Sequence, residues 1–445
     1  MPIIPSFLRP YIAYLESLAW IVWWVCLPLS KGTASVTIVT LWILGIVRFY
    51  DSGESLRNFL QQHKALLGIV ALFFAYIVGL SYTHNMNEGV NFTFRQNPFL
   101  LAPFIFAFYI DKVRVHIRQY FAWFIASNLF AGLVTIWLYQ LPEAQAVAFT
   151  QQFGLLAYPQ NNDMAASGLH SPFVARIQFV NLVALAAMAA CWLLTSARTL
   201  FYRFIWAICL ALLLLISAYV GGRGAQIGLV AAMSVWLFAW AIATLYRPLA
   251  RRMGKWVAML GLGLGLLGLL GSVPYLAARY IPEVEKRYAR MRWELTTYQD
   301  GSFETYPNKG DFTSITRLIS WQKAYEVLKL HPITGVGTGD YYDEVQKRLD
   351  AAGIGFKVFA HQQFLQIWVM LGIGGLLLFV GAWAYWLRHI VQNSDFYTAT
   401  LALSYTFFYT IVCCTDSALI TQIGNTGFLL FWGGIYSCMP PKRHL

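Results

Sequence analysis

Apolar residues run along this chain in blocks of roughly 20, the length a helix needs to cross a bilayer's hydrocarbon while satisfying its own backbone hydrogen bonds. Twelve blocks can be drawn, at residues 11–29, 33–47, 64–82, 97–111, 119–140, 173–195, 200–220, 225–245, 256–273, 362–387, 397–414 and 424–438. The fourth and the last are short, so eleven is the alternative count. No small-residue cleavage site follows the first block, which is therefore expected to stay in the membrane. The pattern predicts an all-α polytopic membrane protein of about 12 transmembrane helices in three parts. These are a bundle of about nine helices over residues 1–273, a long and mostly helical loop over residues 274–361, and about three helices over residues 362–445.

The long polar interval carries 12 basic and 11 acidic residues, nearly neutral and densely charged. EVEKRYARMRWELTTY, residues 283–298, spaces opposite charges as a solvated helix does. SITRLISWQKAYEVLKL, residues 314–330, repeats Ile315, Leu318, Ile319, Ala324 and Leu328 at helical spacing, with Thr313 or Ser314 as its cap and His331 with Pro332 as its stop. GVGTG at 335–339 reads as a tight turn. It follows no strand and lacks the frame of a nucleotide-binding loop. DYYDEVQKRLDAAG then forms a third helix closed by Gly353.

Composition agrees with a membrane setting: 58% of the residues are hydrophobic and 12% charged. The net charge of +12 is mostly a topology signal. With the N-terminus inside, 16 of the 32 Lys and Arg fall in cytoplasmic segments, and the short outer loops hold only Lys31, Arg95 and Arg223. Both termini are then cytoplasmic, and the basic clusters meet anionic lipid headgroups. No basic patch is interleaved with aromatics on a soluble region, so no nucleic-acid partner is expected. The six cysteines all fall in apolar blocks, which indicates neither a disulfide framework nor a cysteine metal site.

Three residues of the outer side stand apart chemically. Arg223, in YVGGRGAQIG, is the long side chain of a glycine-rich turn; Arg317 lies on the second loop helix, one turn before Trp321; His361 opens the block AHQQFLQIWVMLGIGG. Two guanidiniums offer planar donor forks that match phosphate oxygens, and imidazole titrates near neutral pH. Four further residues are weaker candidates: Arg95 for phosphate contact, Asp416 to orient His361 or Arg317, His170 (six residues before Arg176) for an acceptor cavity, and Gln362 as a hydrogen-bonding neighbour of His361. Trp321 can stack on a sugar ring or simply pack its helix.

The order of RGAQIGL, TRLISWQKAYEVLKLHPITGVGTGDY and AHQQFLQIWVMLGIGGLL resembles the O-antigen ligase and polymerase superfamily of bacterial envelope proteins. Members carry an Arg after a span, a second Arg in a long periplasmic loop upstream of a P-x-x-G-x-G turn, and a His followed by an amide at the next span. These are Arg223, Arg317, Pro332 with Gly335 and Gly337, and His361 with Gln362 here. Gln362 and Gln363 stand where Asn after the His is common.

The resemblance implies a fold similar to C-type glycosyltransferases, in the bacterial inner membrane with the active site facing the periplasm. It implies transfer of O-antigen glycan from undecaprenyl diphosphate to a sugar hydroxyl of the lipid A-core, without a metal or other cofactor. A single base with no obvious carboxylate nucleophile beside it favours direct displacement with inversion, and the loop carboxylates keep double displacement open. Arg223 and Arg317 would stabilise the departing diphosphate, and His361 would activate the acceptor. The superfamily alternatives are an O-antigen polymerase and a pilin or protein O-oligosaccharide ligase. A polytopic lipid or glycan transporter is the alternative from another class, disfavoured because few ionisable residues fall mid-span.

Overall fold

A computed structural model of the protein describes residues 7–156, 169–246, 282–305, 312–351 and 361–441, together with Pro5, Gly261, Arg279 and Gly353. Among the described residues every regular element is a helix. In chain order these are α1 (Arg9–Cys26), α2 (Lys31–Ser52), α3 (Leu56–Gln62), α4 (Lys64–Leu67), α5 (Val70–Leu80), α6 (Met86–Arg95), α7 (Pro98–Phe108), α8 (Ile110–Gln140), α9 (Glu143–Gln152) and α10 (Arg176–Ser196). There follow α11 (Leu200–Val220), α12 (Arg223–Ala241), α13 (Pro282–Gln299), α14 (Thr313–Leu330), α15 (Tyr341–Ala351), α16 (Gln363–Asn393), α17 (Phe396–Thr415) and α18 (Gln422–Ser437).

Seven helices among the described residues are long and apolar enough to cross a membrane, and an eighth span results if Leu56–Gln62 and Lys64–Leu80, bent by 81°, count as one. The block at 256–273 lies, but for Gly261, outside the described residues. The blocks at 97–111 and 424–438 are helical but short, at 11 and 16 residues, and the block at 11–29 is an 18-residue helix that includes the charged Arg9 and Glu16. Pro98 opens α7 and Pro103 lies inside it. At roughly 1.5 Å per residue α7 rises only about 16 Å, well below the hydrocarbon thickness. α8 begins earlier than its apolar block because Asp111, Lys112, Arg114 and Arg118 are compatible with a helix that projects beyond the apolar zone.

The chain folds as two compact units. The first comprises Met1–Trp123, Trp293–Ser394 and Val412–Leu445. Its core is aromatic: Trp20, Trp23 and Trp24 of α1 are fully buried. Their rings meet Phe106, Tyr109, Tyr120, Phe121 and Phe431 at centroid separations of 5.1–6.2 Å. Trp386 of α16 stacks on Trp432 of α18 at 4.4 Å, and the Trp432 indole N–H donates to the Leu66 carbonyl at 3.1 Å. Glu16 is buried in α1, with Lys112 at 3.1 Å and Arg48 at 3.6 Å; a carboxylate at this burial requires such partners.

α16 is broken within this unit. Gly372 adopts φ +67° and ψ −172°, which interrupts the helical ladder. A break in an apolar helix frees backbone groups that lipid cannot satisfy. The P-x-x-G-x-G segment at 332–337 supplies the missing partners. Val336 N–H donates to the Val369 carbonyl at 2.9 Å, Gly337 N–H to the Met370 carbonyl at 3.0 Å, and Ile373 N–H to the Pro332 carbonyl at 3.1 Å. The Trp368 indole also donates to Pro332, at 3.0 Å. A Cβ at Gly372 would lie 1.8 Å from the Ile333 carbonyl oxygen, so no side chain fits the junction. This plug fastens the end of α14 to the middle of α16.

Residues 338–340 continue the attachment towards α5. Thr338 donates through Oγ1 to the Tyr76 carbonyl at 2.8 Å, and Gly339 N–H donates to Thr83 Oγ1 at 2.8 Å. The Asp340 carboxylate accepts the N–H groups of His84 at 2.8 Å and Asn85 at 2.7 Å, and lies 3.1 Å from His84 Nδ1. Burial alone would raise the Asp340 pKa. The hydrogen bonds from Asn85 and His84, with the imidazole nearby, more than offset it and hold the carboxyl below its ordinary value.

The second unit comprises Phe124–Arg292 and Asp395–Ile411. Its centre is α10, buried on all sides from Phe179 to Leu193. Alanines at 184, 186, 187, 189 and 190 allow close approach of α11 and α12, the packing mode available to helices that gain nothing from excluding water. Gly221 and Gly222, with φ of +77° and +114°, make the reversal between α11 and α12.

Candidate functional site

The start of α16 is built around an unusual residue. His361 has φ +48°, the one positive φ of a non-glycine among the described residues. An L residue there is strained by about 1–2 kcal/mol, which the surroundings must offset. They do so through residues 415–421, the connection between α17 and α18. The His361 Nδ1 lies 2.9 Å from Asp416 Oδ1, an oxygen that also accepts the Ser417 N–H at 2.8 Å. Gln362 N–H donates to Ser417 Oγ at 3.1 Å, and its side chain turns back to cap the helix at the Leu365 N–H. Gln363 accepts the Leu419 N–H on its Oε1 at 2.9 Å.

The imidazole is 26% exposed and the Asp416 carboxylate 14%, so the pair is half sheltered with one edge open. In the tautomer that carries its proton on Nδ1, the imidazole donates to Asp416 Oδ1, and that bond fixes the ring plane. Such an imidazole can take a proton from a hydroxyl group that approaches Nε2.

Arg317 reaches the same connection from α14. Its guanidinium donates to the Thr415 carbonyl at 3.2 Å. Thr415 and Asp416 are consecutive, with Cα atoms about 3.8 Å apart, so guanidinium and imidazole converge on neighbouring residues of one loop. α14 is placed by the plug at its C-terminal end and by a remote cap at its N-terminal end. Phe312 is the N-cap residue and no side chain caps there; the Ser314 N–H is met instead by Glu294 at 2.7 Å. The cap expected from Thr313 or Ser314 is therefore replaced by a buried carboxylate twenty residues upstream. Trp321, one turn after Arg317, buries its indole nitrogen, in keeping with helix packing.

Arg95 belongs to the same unit, and its charge is already compensated. The guanidinium is paired with Glu88, and its Nε donates to the Asn91 carbonyl at 3.3 Å. Its main-chain carbonyl accepts from Asn425 at 3.1 Å.

Arg223 and His170 lie in the second unit. Arg223 is the first residue of α12, after Gly222. The helix N-terminus carries partial positive charge there, so the cation gains nothing from the helix, and together they favour an anion. His170 is brought to the same end of this unit by the hydrogen bond of Leu169 N–H to the Tyr219 carbonyl at 3.2 Å. Burial, with Arg176 nearby, lowers the His170 pKa and favours the neutral ring.

Among the described residues no three His, Cys, Asp or Glu side chains are grouped to hold a metal ion. The residues that sequence reasoning passed over are Gln363, Glu294 and Asp340. The doubled amide after His361 was the available signal for the first of these.

Among the described residues every regular element is a helix and seven or eight are candidate spans, which makes this a polytopic membrane protein; its polar interval folds onto a broken span beside a His–Asp pair and an arginine. Residues 183–380 match a family model for O-antigen ligase, and over that stretch the chain is similar to the O-antigen ligase superfamily. The matched stretch contains Arg223, Arg317 and His361, while Asp416, Arg95 and His170 fall outside it. A comparison with curated proteins finds no match.

Proposed function

We propose that the protein is a metal-independent membrane glycosyltransferase, which moves O-antigen glycan from undecaprenyl diphosphate onto a sugar hydroxyl of lipid A-core. The reaction takes place at the periplasmic face of the bacterial inner membrane, with both termini cytoplasmic. The observation that carries the reading is the His361–Asp416 pair at 2.9 Å with Arg317 bonded to the adjacent Thr415, in a chain whose residues 183–380 match the O-antigen ligase model.

In the proposed step the acceptor oxygen attacks the anomeric carbon as its proton passes to His361 Nε2. The bond from that carbon to the diphosphate oxygen breaks with its electron pair, and undecaprenyl diphosphate leaves. Asp416 stabilises the imidazolium that forms. Arg317 stabilises the charge gathering on the diphosphate, a role in which one well-placed donor contributes roughly 10²–10³ in rate, and Arg223 is assigned to the diphosphate on the sequence pattern alone. With one base and no carboxylate nucleophile assigned, the displacement is direct and inverts the anomeric centre. Arg95, whose guanidinium is paired with Glu88, is assigned to diphosphate contact on the sequence pattern alone.

The donor half of this reading is common to polymerases and protein ligases of the superfamily, and the acceptor distinguishes them. The test is lipopolysaccharide from cells whose only copy carries Arg317→Ala or His361→Ala. Each variant is expected in the membrane at normal level with uncapped lipopolysaccharide. Normal capping by either would refute the assigned roles.

A further inference from the structure

Resting on the catalytic reading above, the geometry points to Gln363, backed by the Gln96–Asn425 pair, as a positioning residue. We propose that it fixes the connection at 415–421 and through it holds the Asp416 carboxylate against His361.

The connection has little internal support. Asp416 N–H continues the α17 ladder to the Val412 carbonyl at 2.7 Å, and beyond it Ile420 N–H reaches the Ser417 carbonyl at 3.3 Å. Ser417 N–H donates to Asp416 Oδ1 at 2.8 Å, and Thr421 Oγ1 caps α18 by accepting the Gly424 N–H at 3.2 Å; further bonds come from outside. Gln363 Oε1 takes the Leu419 N–H at 2.9 Å, and Gln96 Nε2 donates to the Ile420 carbonyl at 3.4 Å. Asn425 Nδ2 holds Gln96 through its Oε1 at 2.9 Å and anchors it to the Arg95 carbonyl at 3.1 Å. Gln363, Gln96 and Asn425 are all fully buried. In a dry surrounding an amide hydrogen bond is firm and its loss leaves an orphaned backbone group, so three buried carboxamides define where the loop can sit.

The two glutamines after His361 thus differ in task. The Gln362 side chain is spent on its own helix, and the Gln363 side chain reaches across to the loop that carries Asp416. Gln363 touches neither His361 nor Asp416 in these bonds, so its influence on chemistry passes through the backbone of 416–419.

The experiment uses the full chain in lipid nanodiscs. Gln363→Met keeps the length and removes the acceptor; Gln363→Glu keeps an acceptor oxygen. Backbone hydrogen exchange is read at 417–421, and steady-state transfer is measured with undecaprenyl diphosphate-linked glycan and lipid A-core. Gln363→Met is expected to speed exchange at 417–421 by about tenfold and to lower kcat by a similar factor with donor KM unchanged. Gln363→Glu should restore both towards wild type. Gln96→Met, a second route to the same loop, should move both readouts in the same direction, and it decides the matter should Gln363→Met fail to fold. Wild-type exchange and kcat in Gln363→Met would overturn the proposal, as would a raised KM at wild-type kcat, which marks a substrate contact. Absence of product from the wild-type protein would overturn the functional reading instead, and exchange would still show whether Gln363 holds the loop.

Discussion

Gly372→Ala puts the broken span under direct test. The new Cβ would stand 1.8 Å from the Ile333 oxygen and 2.4 Å from its carbon, both backbone atoms of the docked plug. Neither can be rotated away, so the plug must leave. An alanine at φ +67° is strained by about 1–2 kcal/mol. Departure of the plug also frees three backbone hydrogen bonds, from Val336, Gly337 and Ile373, each contributing about 0.5–1.5 kcal/mol. Together the loss is about 2.5–6.5 kcal/mol, enough to shift a folding equilibrium by about seventyfold or more. Gly374→Ala is the internal control, because nothing lies within 4 Å of a Cβ there. Unfolding in mixed micelles, followed by tryptophan fluorescence against denaturing detergent, should separate the two variants by most of that difference. Coincident transitions for Gly372→Ala and Gly374→Ala would refute the docking of 332–337 into α16.

Other expectations follow from the same structure. Asp340→Ala orphans the His84 and Asn85 N–H groups and should lose about 1–3 kcal/mol at pH 7. Because the folded carboxyl is held below its ordinary 3.8, its contribution is fully present above that value and fades as pH falls through the folded value; the gap between wild type and Asp340→Ala should therefore close only in strong acid. Asp416→Asn should lower kcat by about 10²-fold or more with donor KM little changed, and a KM effect alone would argue against orientation of the imidazole. Arg317→Lys keeps charge without the planar fork and should lose most of the transfer rate; full activity would show that charge alone suffices. Chelator should leave purified activity intact, and loss restored by a divalent ion would overturn the metal-free scheme.

The three helices of the polar interval were legible because their signals are local. Spaced charges, apolar repeats and a closing glycine put them at 283–298, 314–330 and 340–353, against Pro282–Gln299, Thr313–Leu330 and Tyr341–Ala351 observed. The break at Gly372 was not legible, since residues 362–387 read as one apolar run and the reason for the break is the Ile333 carbonyl, far away in sequence. The Ser314 cap was hidden in the same way, supplied by Glu294 from another helix. The choice between Gln362 and Gln363 depends on where α16 begins: one residue earlier or later would exchange their roles. Sequence reading could name His361, Arg317 and Asp416 as polar residues near span ends. Their meeting on residues 415–416 is a tertiary fact, created by the plug that fastens α14 to α16.

The most direct measurement of the central claim is single-turnover reaction of the purified protein, in nanodiscs, with undecaprenyl diphosphate-linked glycan and lipid A-core. The account predicts one joined glycolipid with an inverted anomeric centre and one undecaprenyl diphosphate freed per turnover, both lost in His361→Ala. Joined product formed by His361→Ala at the wild-type rate, or glycan moved across the membrane with no new glycosidic bond, would contradict it.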